Sequence, residues 1–524
     1  MDSHEQRIVR FLSAPAAYPH SVKDVERRET HVSHVFLAGH FAYKLKKPVK
    51  FPFLDASTLA LRLKFCKLEL SLNRRLAPAV YLDLVPVVET PAGLRLGGPG
   101  RAVEWVVRMR RLPEDRMLDQ VVAKRRATRR DMARIAQRLI PFFRSAARGP
   151  SVRRYGTPAA VEQLVLGNLE ECAPFIGQML TEEERVRLRA AYRQYLTLHQ
   201  PLLKRRLAEG RIIDGHGDLR CENICVGPPV SIFDCVEFQP AFRCADMAND
   251  FSFLLMDLEF RNRGDLADAL AAAYRGMRDR SVGGVLDFYK CHRTLVRGKV
   301  RGFAWLQHPR TPEGRRIQAL SRRHFELAAR YARRFAPPRL IAVGGVIGTG
   351  KSTLARGLAE SLGACWLRTD EIRLREFTHR RRARQGFAEG LYAPHVSDLV
   401  YQRLIQRAEA LIRQGRSVVC DGTFSKASGR AMLRAIARRH GAAFHFFETT
   451  VPRAVALRRI ARRAAAKADI SEARPEHYNR LRAGFEPVRG WPARDWTRLS
   501  DDRAPAATLA AAIDALRRAW RVPA

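Results

Sequence analysis

The chain has 524 residues, 46% of them hydrophobic, which is more than one hydrophobic core usually holds, so two or three domains are expected. Nine cysteines in a chain of this length do not indicate a disulfide scaffold, and no apolar run is long enough to span a bilayer. The first residues lack the basic head and apolar stretch of a signal peptide, so we expect a cytoplasmic protein without membrane contact.

The charge of the chain is strongly positive. The formal net charge is +41, and 14 of the 94 basic residues are lysine, which leaves 80 arginines. A nucleic-acid partner would use such charge to neutralise phosphates. The excess is spread along the chain, however, with modest runs at 124–130 and 380–384 and no compact basic stripe interleaved with aromatic residues. We therefore favour a solvated basic surface and keep nucleic-acid binding as the alternative.

The first part of the chain changes texture near residue 110. Before it, the sequence predicts short strands and turns with one helix, over 58–76. From about residue 127 the pattern is mostly helical, interrupted by a compact loop-and-strand region at 211–240. The sequence therefore predicts a small β-rich lobe followed by a larger helical lobe, together forming a first domain over 1–335.

The interruption at 211–240 contains the most informative motif of this domain, His216-Gly-Asp218-Leu-Arg-Cys-Glu-Asn223, followed by Ile232-Phe-Asp234. Asp218 would orient or deprotonate the hydroxyl of an acceptor, and Asn223 and Asp234 would hold Mg²⁺ against the phosphates of ATP. A hairpin with turn-forming Asp and Asn residues would explain any one of the three. The three at this spacing, with apolar strands beside them, favour a phosphotransfer site.

This motif resembles that of the aminoglycoside phosphotransferase branch of the protein-kinase-like fold, over residues 30–300. The resemblance implies that Lys44, in Phe41-Ala-Tyr-Lys44, contacts the α- and β-phosphates and that Glu69 pairs with it. Lys46 is the alternative lysine, since alternation along a strand would put it on the same face as Lys44. One feature differs, because the segment before Phe41 has no glycine-rich loop. The acceptors of that branch are polycations, for which a chain of net charge +41 is a poor match apart from a local acidic patch at Asp246, Asp250, Asp257 and Glu259.

Four cysteines, Cys221, Cys225, Cys235 and Cys244, overlap the same region. Their spacing is C-x3-C-x9-C-x8-C and not paired C-x2-C. Zinc binding is the alternative; we favour small buried cysteines around a catalytic loop.

A second domain, over 336–524, begins after Phe335-Ala-Pro-Pro-Arg339, where two prolines end a helix predicted over 313–334. A strand at 340–343 follows, and strands at 365–368, 417–420 and 444–447 then alternate with helical segments. This alternation predicts an α/β domain with a parallel sheet flanked by helices.

The first strand of this domain leads into Gly345-Val-Ile-Gly-Thr-Gly-Lys351-Ser352, the full G-x4-G-K-[ST] pattern of a P-loop. Glycines let backbone N–H groups close around a phosphate, Lys351 reaches the β- and γ-phosphates, and the hydroxyl of Ser352 faces Mg²⁺. The candidate ATP-binding residues are Gly345, Gly348, Thr349, Gly350, Lys351, Ser352 and Thr353.

Three further residues follow in this domain. Asp370 would take a proton from an acceptor hydroxyl, although an N-cap aspartate would look the same. Asp421 would hold Mg²⁺, although an aspartate before glycine is also common in turns. Arg463, on an arginine-rich helix at 453–466, would neutralise charge on the transferred phosphoryl group; a solvated basic face is the alternative.

These motifs resemble the small P-loop kinases that include polynucleotide 5′-kinase, chloramphenicol phosphotransferase and zeta-toxin-like kinases, over residues 340–500. In that family the aspartate at the position of Asp370 is the usual candidate base.

The sequence thus predicts an α+β, two-lobed, protein-kinase-like domain followed by an α/β P-loop domain. We expect an ATP- and Mg²⁺-dependent phosphotransferase whose two modules act on hydroxyls of small molecules. A 5′-hydroxyl kinase acting on nucleic acid and a non-catalytic ATP sensor are the alternatives. The sequence identifies neither the acceptors nor the oligomeric state.

Overall fold

The computed structural model describes residues 4–51, 54–377, 393–466 and 475–522. The chain folds into two compact units. The N-terminal unit comprises Met1–Val161 and Arg206–Thr294, and the C-terminal unit comprises Glu162–Arg205 and Leu295–Ala524. Among the described helices, none is both long and apolar enough to cross a membrane.

The strands before residue 295 are β1 (Val25–Glu29), β2 (Ser33–Ala38), β3 (Phe41–Lys46), β4 (Lys50–Phe51), β5 (Leu54–Asp55), β6 (Tyr81–Thr90), β7 (Gly93–Leu96), β8 (Arg101–Arg110), β9 (Ile212–Asp214), β10 (Ile224–Cys225), β11 (Ser231–Ile232) and β12 (Cys244–Asp246). The helices that begin in this part are α1 (His4–Ser13), α2 (Leu59–Arg74), α3 (Leu118–Ala123), α4 (Arg129–Ser145), α5 (Pro150–Arg153), α6 (Pro158–Glu170), α7 (Glu182–Ala208), α8 (Pro240–Arg243), α9 (Met247–Phe260), α10 (Gly264–Tyr274) and α11 (Leu286–Gln307).

The first lobe is an antiparallel sheet of six strands in the order β1-β2-β3-β8-β6-β7. Alternation along β3 places Tyr43 and Leu45 in the core shared with α1, and Ala42 in the core shared with α2. Lys44 and Lys46 therefore share the side of the sheet on which α2 lies.

The second lobe is helical, and its core joins α4, α9 and α10. Helix α4 begins with a capping box, in which Thr128 and Asp131 each bond to the other's backbone N–H. Two short antiparallel pairs, β9 with β12 and β10 with β11, interrupt the helices in the predicted loop-and-strand region. These pairs hold the loops that contain Asp218 and Asp234.

The strands of the C-terminal unit are β13 (Arg339–Gly344), β14 (Cys365–Arg368), β15 (Val418–Asp421), β16 (Ala443–Thr450) and β17 (Trp496–Ser500). Its further helices are α12 (Pro312–Phe335), α13 (Lys351–Leu362), α14 (Thr369–Phe377), α15 (Pro394–Arg413), α16 (Ala427–Arg439), α17 (Arg453–Ala466), α18 (Tyr478–Ala483) and α19 (Pro505–Ala519).

The five strands form one parallel sheet in the order β14-β15-β13-β16-β17. Strand β13 lies at its centre and is buried on both faces. Leu340 and Ala342 pack with α15 and α16, whereas Ile341 and Val343 pack with α13 and α19. Helices on both faces explain the continuous apolar run. The predicted fold class is confirmed: an antiparallel-sheet lobe with a helical lobe, then an α/β domain with a parallel sheet.

Helix α7 contributes to the C-terminal unit although it precedes the double proline in the chain. Gln194 accepts a hydrogen bond from the Ser417 hydroxyl (2.7 Å) and donates one to the carbonyl of Pro337 (2.9 Å). The Thr197 hydroxyl donates to the carbonyl of Ser361 (2.6 Å). The prolines mark where α12 ends, which is a local property of the chain, and the packing of α7 is not visible in such a signal. The domain boundary at residue 335 stays a prediction.

Candidate functional site

The turn between β13 and α13 has the backbone of a phosphate-binding loop. Gly345 and Gly350 have φ angles of 140° and 81°, which L side chains rarely adopt. A Cβ at Gly345 would lie 2.4 Å from the carbonyl oxygen of Thr449, and one at Gly350 would lie 1.7 Å from Oδ2 of Asp501. Only glycine fits at both positions, and the loop delivers the chain directly into the N-terminus of α13.

The polar side chains of this loop make different contacts. The ammonium of Lys351 donates to the carbonyl of Val346 (3.0 Å) within the loop. The hydroxyl of Thr349 donates to the same carbonyl (2.7 Å) and lies 2.8 Å from the hydroxyl of Thr449, so it braces the loop internally. Thr353 is exposed in the first turn of α13.

Asp421 is the centre of the polar cluster beside the loop. It ends β15, next to β13, and only 4% of its surface is exposed. Burial raises the pKa of Asp421, while a hydrogen bond from Ser352 and the charges of Lys351 and Arg368 act in the opposite direction. The negative charge of Asp370 raises that pKa further. Arg368, two residues before Asp370, lies opposite Asp421 on the neighbouring strand.

The other two predicted residues of this domain lie in helices. Asp370 is in the first turn of α14 and is half-buried. Arg463 is in α17, but its side chain lies outside the described part of the chain. Arg459, one turn earlier in the same helix, lies beside the P-loop. Its guanidinium donates to the carboxylate (2.8 Å) and carbonyl (2.7 Å) of Asp501, the residue that contacts Gly350.

The N-terminal unit gathers its predicted residues into a second cluster. The ammonium of Lys44 lies 2.7 Å from Oε1 of Glu69 and 2.8 Å from Oδ1 of Asp234. Burial disfavours the ammonium, but the charges of Asp234 and Glu69 outweigh it and raise the pKa of Lys44. The Lys44 charge in turn lowers the pKa of Asp234. Both partners of the pair are therefore ionised.

Lys46 also contacts Glu69. Its ammonium lies 2.7 Å from Oε2 of Glu69 and also bonds to Glu237. The strand alternation predicted for Lys44 and Lys46 therefore brings both lysines to one carboxylate. Glu69 is fully buried, and Lys46 and Glu237 are 5% and 8% exposed.

Asp218 and Asn223 are in direct contact. The amide of Asn223 donates to the carboxylate and to the carbonyl of Asp218, each at 2.9 Å. The Nε–H of Arg220 lies 2.9 Å from both carboxylate oxygens of Asp218. The carboxylate is thus held in one orientation, and a quarter of the side-chain surface of Asp218 is exposed.

Two buried groups connect and support the loops that contain Asp218 and Asp234. His216 accepts a hydrogen bond from the backbone N–H of Asp218 (3.3 Å), so its other ring nitrogen donates to the carbonyl of Phe233 (3.0 Å). Burial lowers the pKa of His216, which keeps the ring neutral in this bridge. Asp250 accepts from the backbone N–H groups of His216 and Gly217.

The acidic patch considered for a polycationic acceptor is not available on the surface. Asp250 is buried beneath the His216 loop, Asp246 is buried against Arg206, and Asp257 accepts from the backbone N–H of Cys221. Glu259 is paired with Lys290 (2.5 Å). These carboxylates therefore support the fold, which the sequence alone does not show, and they do not form the local acidic patch that could have bound a polycation.

The four cysteines near these loops are buried, and burial raises the pKa of the Cys235 thiol to about 12 and that of Cys244 to about 11. Over the described residues, no three His, Cys, Asp or Glu side chains are grouped so that they could hold a metal ion. Mg²⁺ in kinases needs only one or two protein carboxylates, because phosphates and water supply its other ligands. Ser352 with Asp421, and Asn223 with Asp234, offer oxygen atoms of the required kind.

The sequence of this chain matches a family profile over one segment and individual proteins over most of its length. A family profile described as an AAA domain matches residues 340–488. The uncharacterised protein Rv2004c of Mycobacterium tuberculosis is 34% identical over 460 residues, which cover 86% of this chain and 89% of that protein. An uncharacterised protein of Mycobacterium bovis, Mb2027c, matches equally well. This chain belongs to the family of these mycobacterial proteins.

Two solved structures are less similar in sequence to this chain than the mycobacterial proteins are. A choline/ethanolamine kinase family protein from Mesorhizobium loti covers 62% of this chain and 99% of its own, at 16% identity and a TM-score of 0.36. A sugar kinase from Janibacter covers 36% of this chain and 99% of its own, at 20% identity and a TM-score of 0.28. Both TM-scores lie below 0.5, so neither structure adds to what the fold of this chain itself shows.

For this family member, the predicted fold class is confirmed, with a P-loop domain at the C-terminal end. The sequence missed several residues of the two clusters: Glu237, Arg220, Arg368 and Asp501. Arg220 lies inside the quoted motif, and its position two residues after Asp218 was a usable signal. Asp501 gave none, because only the fifth strand of the sheet brings it to the loop.

Proposed function

We propose that the protein is an ATP-dependent phosphotransferase with two kinase-type modules, each acting on a hydroxyl of a small molecule. The observation that supports this most strongly is the register of three neighbouring parallel strands, β14, β15 and β13, which brings the P-loop, Asp370 and Asp421 to one edge of the sheet. These are the groups that phosphoryl transfer from a nucleotide requires, and they meet at the end of the central strands of a parallel sheet.

In the P-loop module, the backbone N–H groups of the loop and the ammonium of Lys351 would bind the phosphates. An acceptor hydroxyl oxygen attacks the γ-phosphorus, an O–P bond forms, and the bond to the β,γ-bridging oxygen breaks to release ADP. The proton of the hydroxyl passes to the carboxylate of Asp370. Ser352 and Asp421 would hold Mg²⁺, which neutralises phosphate charge when bound.

In the N-terminal module, the same chemistry would use a different set of residues. Lys44, fixed by Glu69, would bind the α- and β-phosphates, and Asp218 would orient and deprotonate the acceptor hydroxyl. Asn223 and Asp234 would hold Mg²⁺. The support for this module is the contact of Lys44 with both Glu69 and Asp234, and the contact of Asn223 with Asp218.

The test is ATP consumption by the purified protein with a panel of small alcohols, sugars, nucleosides and 5′-hydroxyl oligonucleotides. We expect one acceptor to stimulate turnover and either Lys351→Ala or Asp218→Asn to reduce it, by about 10² to 10³ when the residue acts on the transferred group. The exposed residues Lys426 and Asp265 provide matched controls, Lys426→Ala and Asp265→Asn, which should leave turnover unchanged.

Other results would select the alternatives. Stimulation by oligonucleotides alone would replace the small-molecule acceptor with a nucleic-acid 5′-hydroxyl. Binding of ATP with no turnover for any acceptor would contradict the enzymatic proposal and favour an ATP sensor.

A further inference from the structure

A buried row of alternating charges crosses the N-terminal site. It runs Asp234, Lys44, Glu69, Lys46, Glu237, with each side chain in contact with the next. The Asp234 end is 45% exposed at its side chain, whereas Glu69 and Lys46 are at most 5% exposed. Phosphate binding by a lysine needs one ammonium and one partner carboxylate, so Lys46 and Glu237 are additional to that requirement.

The two oxygens of Glu69 bind different lysines. Oε1 contacts Lys44 and Oε2 contacts Lys46, both at 2.7 Å. A carboxylate buried in this way is costly if it loses its only partner. With Lys46 in place, Glu69 stays paired when the ammonium of Lys44 turns toward phosphates. Burial raises the pKa of Glu69, but the charges of the two lysines outweigh burial and lower it.

Glu237 provides a second contact between the Asp234 segment and strand β3. It lies three residues after Asp234, on the same segment, and both residues bond to lysines of β3. The segment is therefore fastened to one strand at two points. Asp234 itself has a φ of 63°, a conformation that a residue with a side chain keeps only where its surroundings fix it.

We propose that Lys46 is a positioning residue of the N-terminal nucleotide site: it keeps Glu69 paired while Lys44 binds phosphates, and through Glu237 it holds the segment that presents Asp234. This inference rests on the proposed function of the N-terminal module. A role in folding alone is the competing explanation, because removing one partner of a buried ion pair leaves an uncompensated charge and destabilises the fold.

The experiment separates the two roles by measuring nucleotide affinity and stability in the same variants. All variants carry Lys351→Ala, so that binding reports the N-terminal site. A fluorescent ATP analogue with Mg²⁺ is titrated and followed by anisotropy, and thermal unfolding is recorded in parallel. The variants are Lys46→Met, Lys46→Arg and the pair Lys46→Met with Glu237→Gln. The control is Lys47→Met, which removes the neighbouring lysine of the same charge, paired with exposed Glu29.

We expect Lys46→Met to weaken binding by about tenfold or more, because a buried charge pair is broken. The paired variant removes the unpartnered carboxylate, so its unfolding midpoint should recover while its affinity stays low. Lys46→Arg, which can still bridge the two carboxylates, should recover part of the affinity. Lys47→Met should bind like the parent.

Parent-like affinity in the paired variant would overturn the inference and leave Lys46 with a role in folding only. If the Lys351→Ala parent itself binds no analogue, the N-terminal nucleotide site is absent, and the inference falls with the function on which it rests.

Discussion

Two residues with side chains occupy the left-handed region of backbone conformation inside the candidate sites, Asp234 with φ of 63° and Phe424 with φ of 45°. Such positions cost about 1–3 kcal/mol and persist where neighbouring groups hold them. Lys44 bonds to Asp234, and the Tyr401 hydroxyl accepts from the backbone N–H of Phe424 (2.9 Å). Backbone strain thus lies in the loops after β11 and β15, at or close to the proposed Mg²⁺ ligands Asp234 and Asp421.

The P-loop allows a test of strain at one residue. Gly350→Ala should destabilise the C-terminal unit by about 1–3 kcal/mol, because its φ is 81° and the new Cβ would meet the carboxylate of Asp501. Urea unfolding followed by tryptophan fluorescence measures this effect, since five of the six tryptophans lie in that unit.

Gly429 is the matched control for Gly350. It lies in α16 with nothing within 4 Å of a Cβ placed on it, so Gly429→Ala should stabilise the unit by about 0.5–1 kcal/mol. Equal effects of the two substitutions would contradict the account of the loop.

At the scale of secondary-structure elements, much of the arrangement could be predicted because it depends on local patterns. The period of two along β3 predicted that Lys44 and Lys46 share a face, and the P-loop pattern predicted the junction of β13 and α13. Contacts between distant segments could not be predicted, such as that of Glu237 with Lys46 or of Asp501 with Gly350. No periodicity marks them, because they arise when separate elements pack together.

A buried histidine in strand β16 predicts how the stability of the C-terminal unit depends on pH. His445 is fully buried, its ring lies 3.0 Å from both Thr497 Oγ1 and the carbonyl of Arg494, and burial lowers its pKa from 6.5 to about 4. The unfolded chain therefore binds the proton more tightly than the folded chain. Stability that is present above pH 6.5 is lost as the pH falls toward 4, at about 1.4 kcal/mol for each unit of pKa difference.

The measurement is the free energy of unfolding of the C-terminal unit at several pH values, from about one unit above the ordinary imidazole pKa to about two units below it. His445→Gln should reduce the dependence on pH but not abolish it, because burial also lowers the pKa values of His199 and His324 in this unit. His395→Gln, at an exposed position, should leave the slope unchanged. An unchanged slope in His445→Gln would exclude this histidine as a source of acid sensitivity.

At the scale of the whole molecule, the two sets of residues proposed for phosphotransfer lie in separate compact units. Both sets could be proposed from the sequence because their motifs are short and contiguous. The sequence also predicted a boundary at the double proline, whereas the compact C-terminal unit also includes 162–205 and 295–335, which precede that boundary. Long helices such as α7 cross between units, and amphipathic patterns do not show which partner a helix packs against.

The central claim is that one chain contains two nucleotide sites, and the stoichiometry of ATP binding tests it most directly. Isothermal titration with an ATP analogue that resists hydrolysis, in the presence of Mg²⁺, should give two sites per chain in the wild type. Lys351→Ala and Lys44→Met should each leave one site, and the double variant should leave none. A single site in the wild type, or a count that Lys44→Met does not change, would contradict the account.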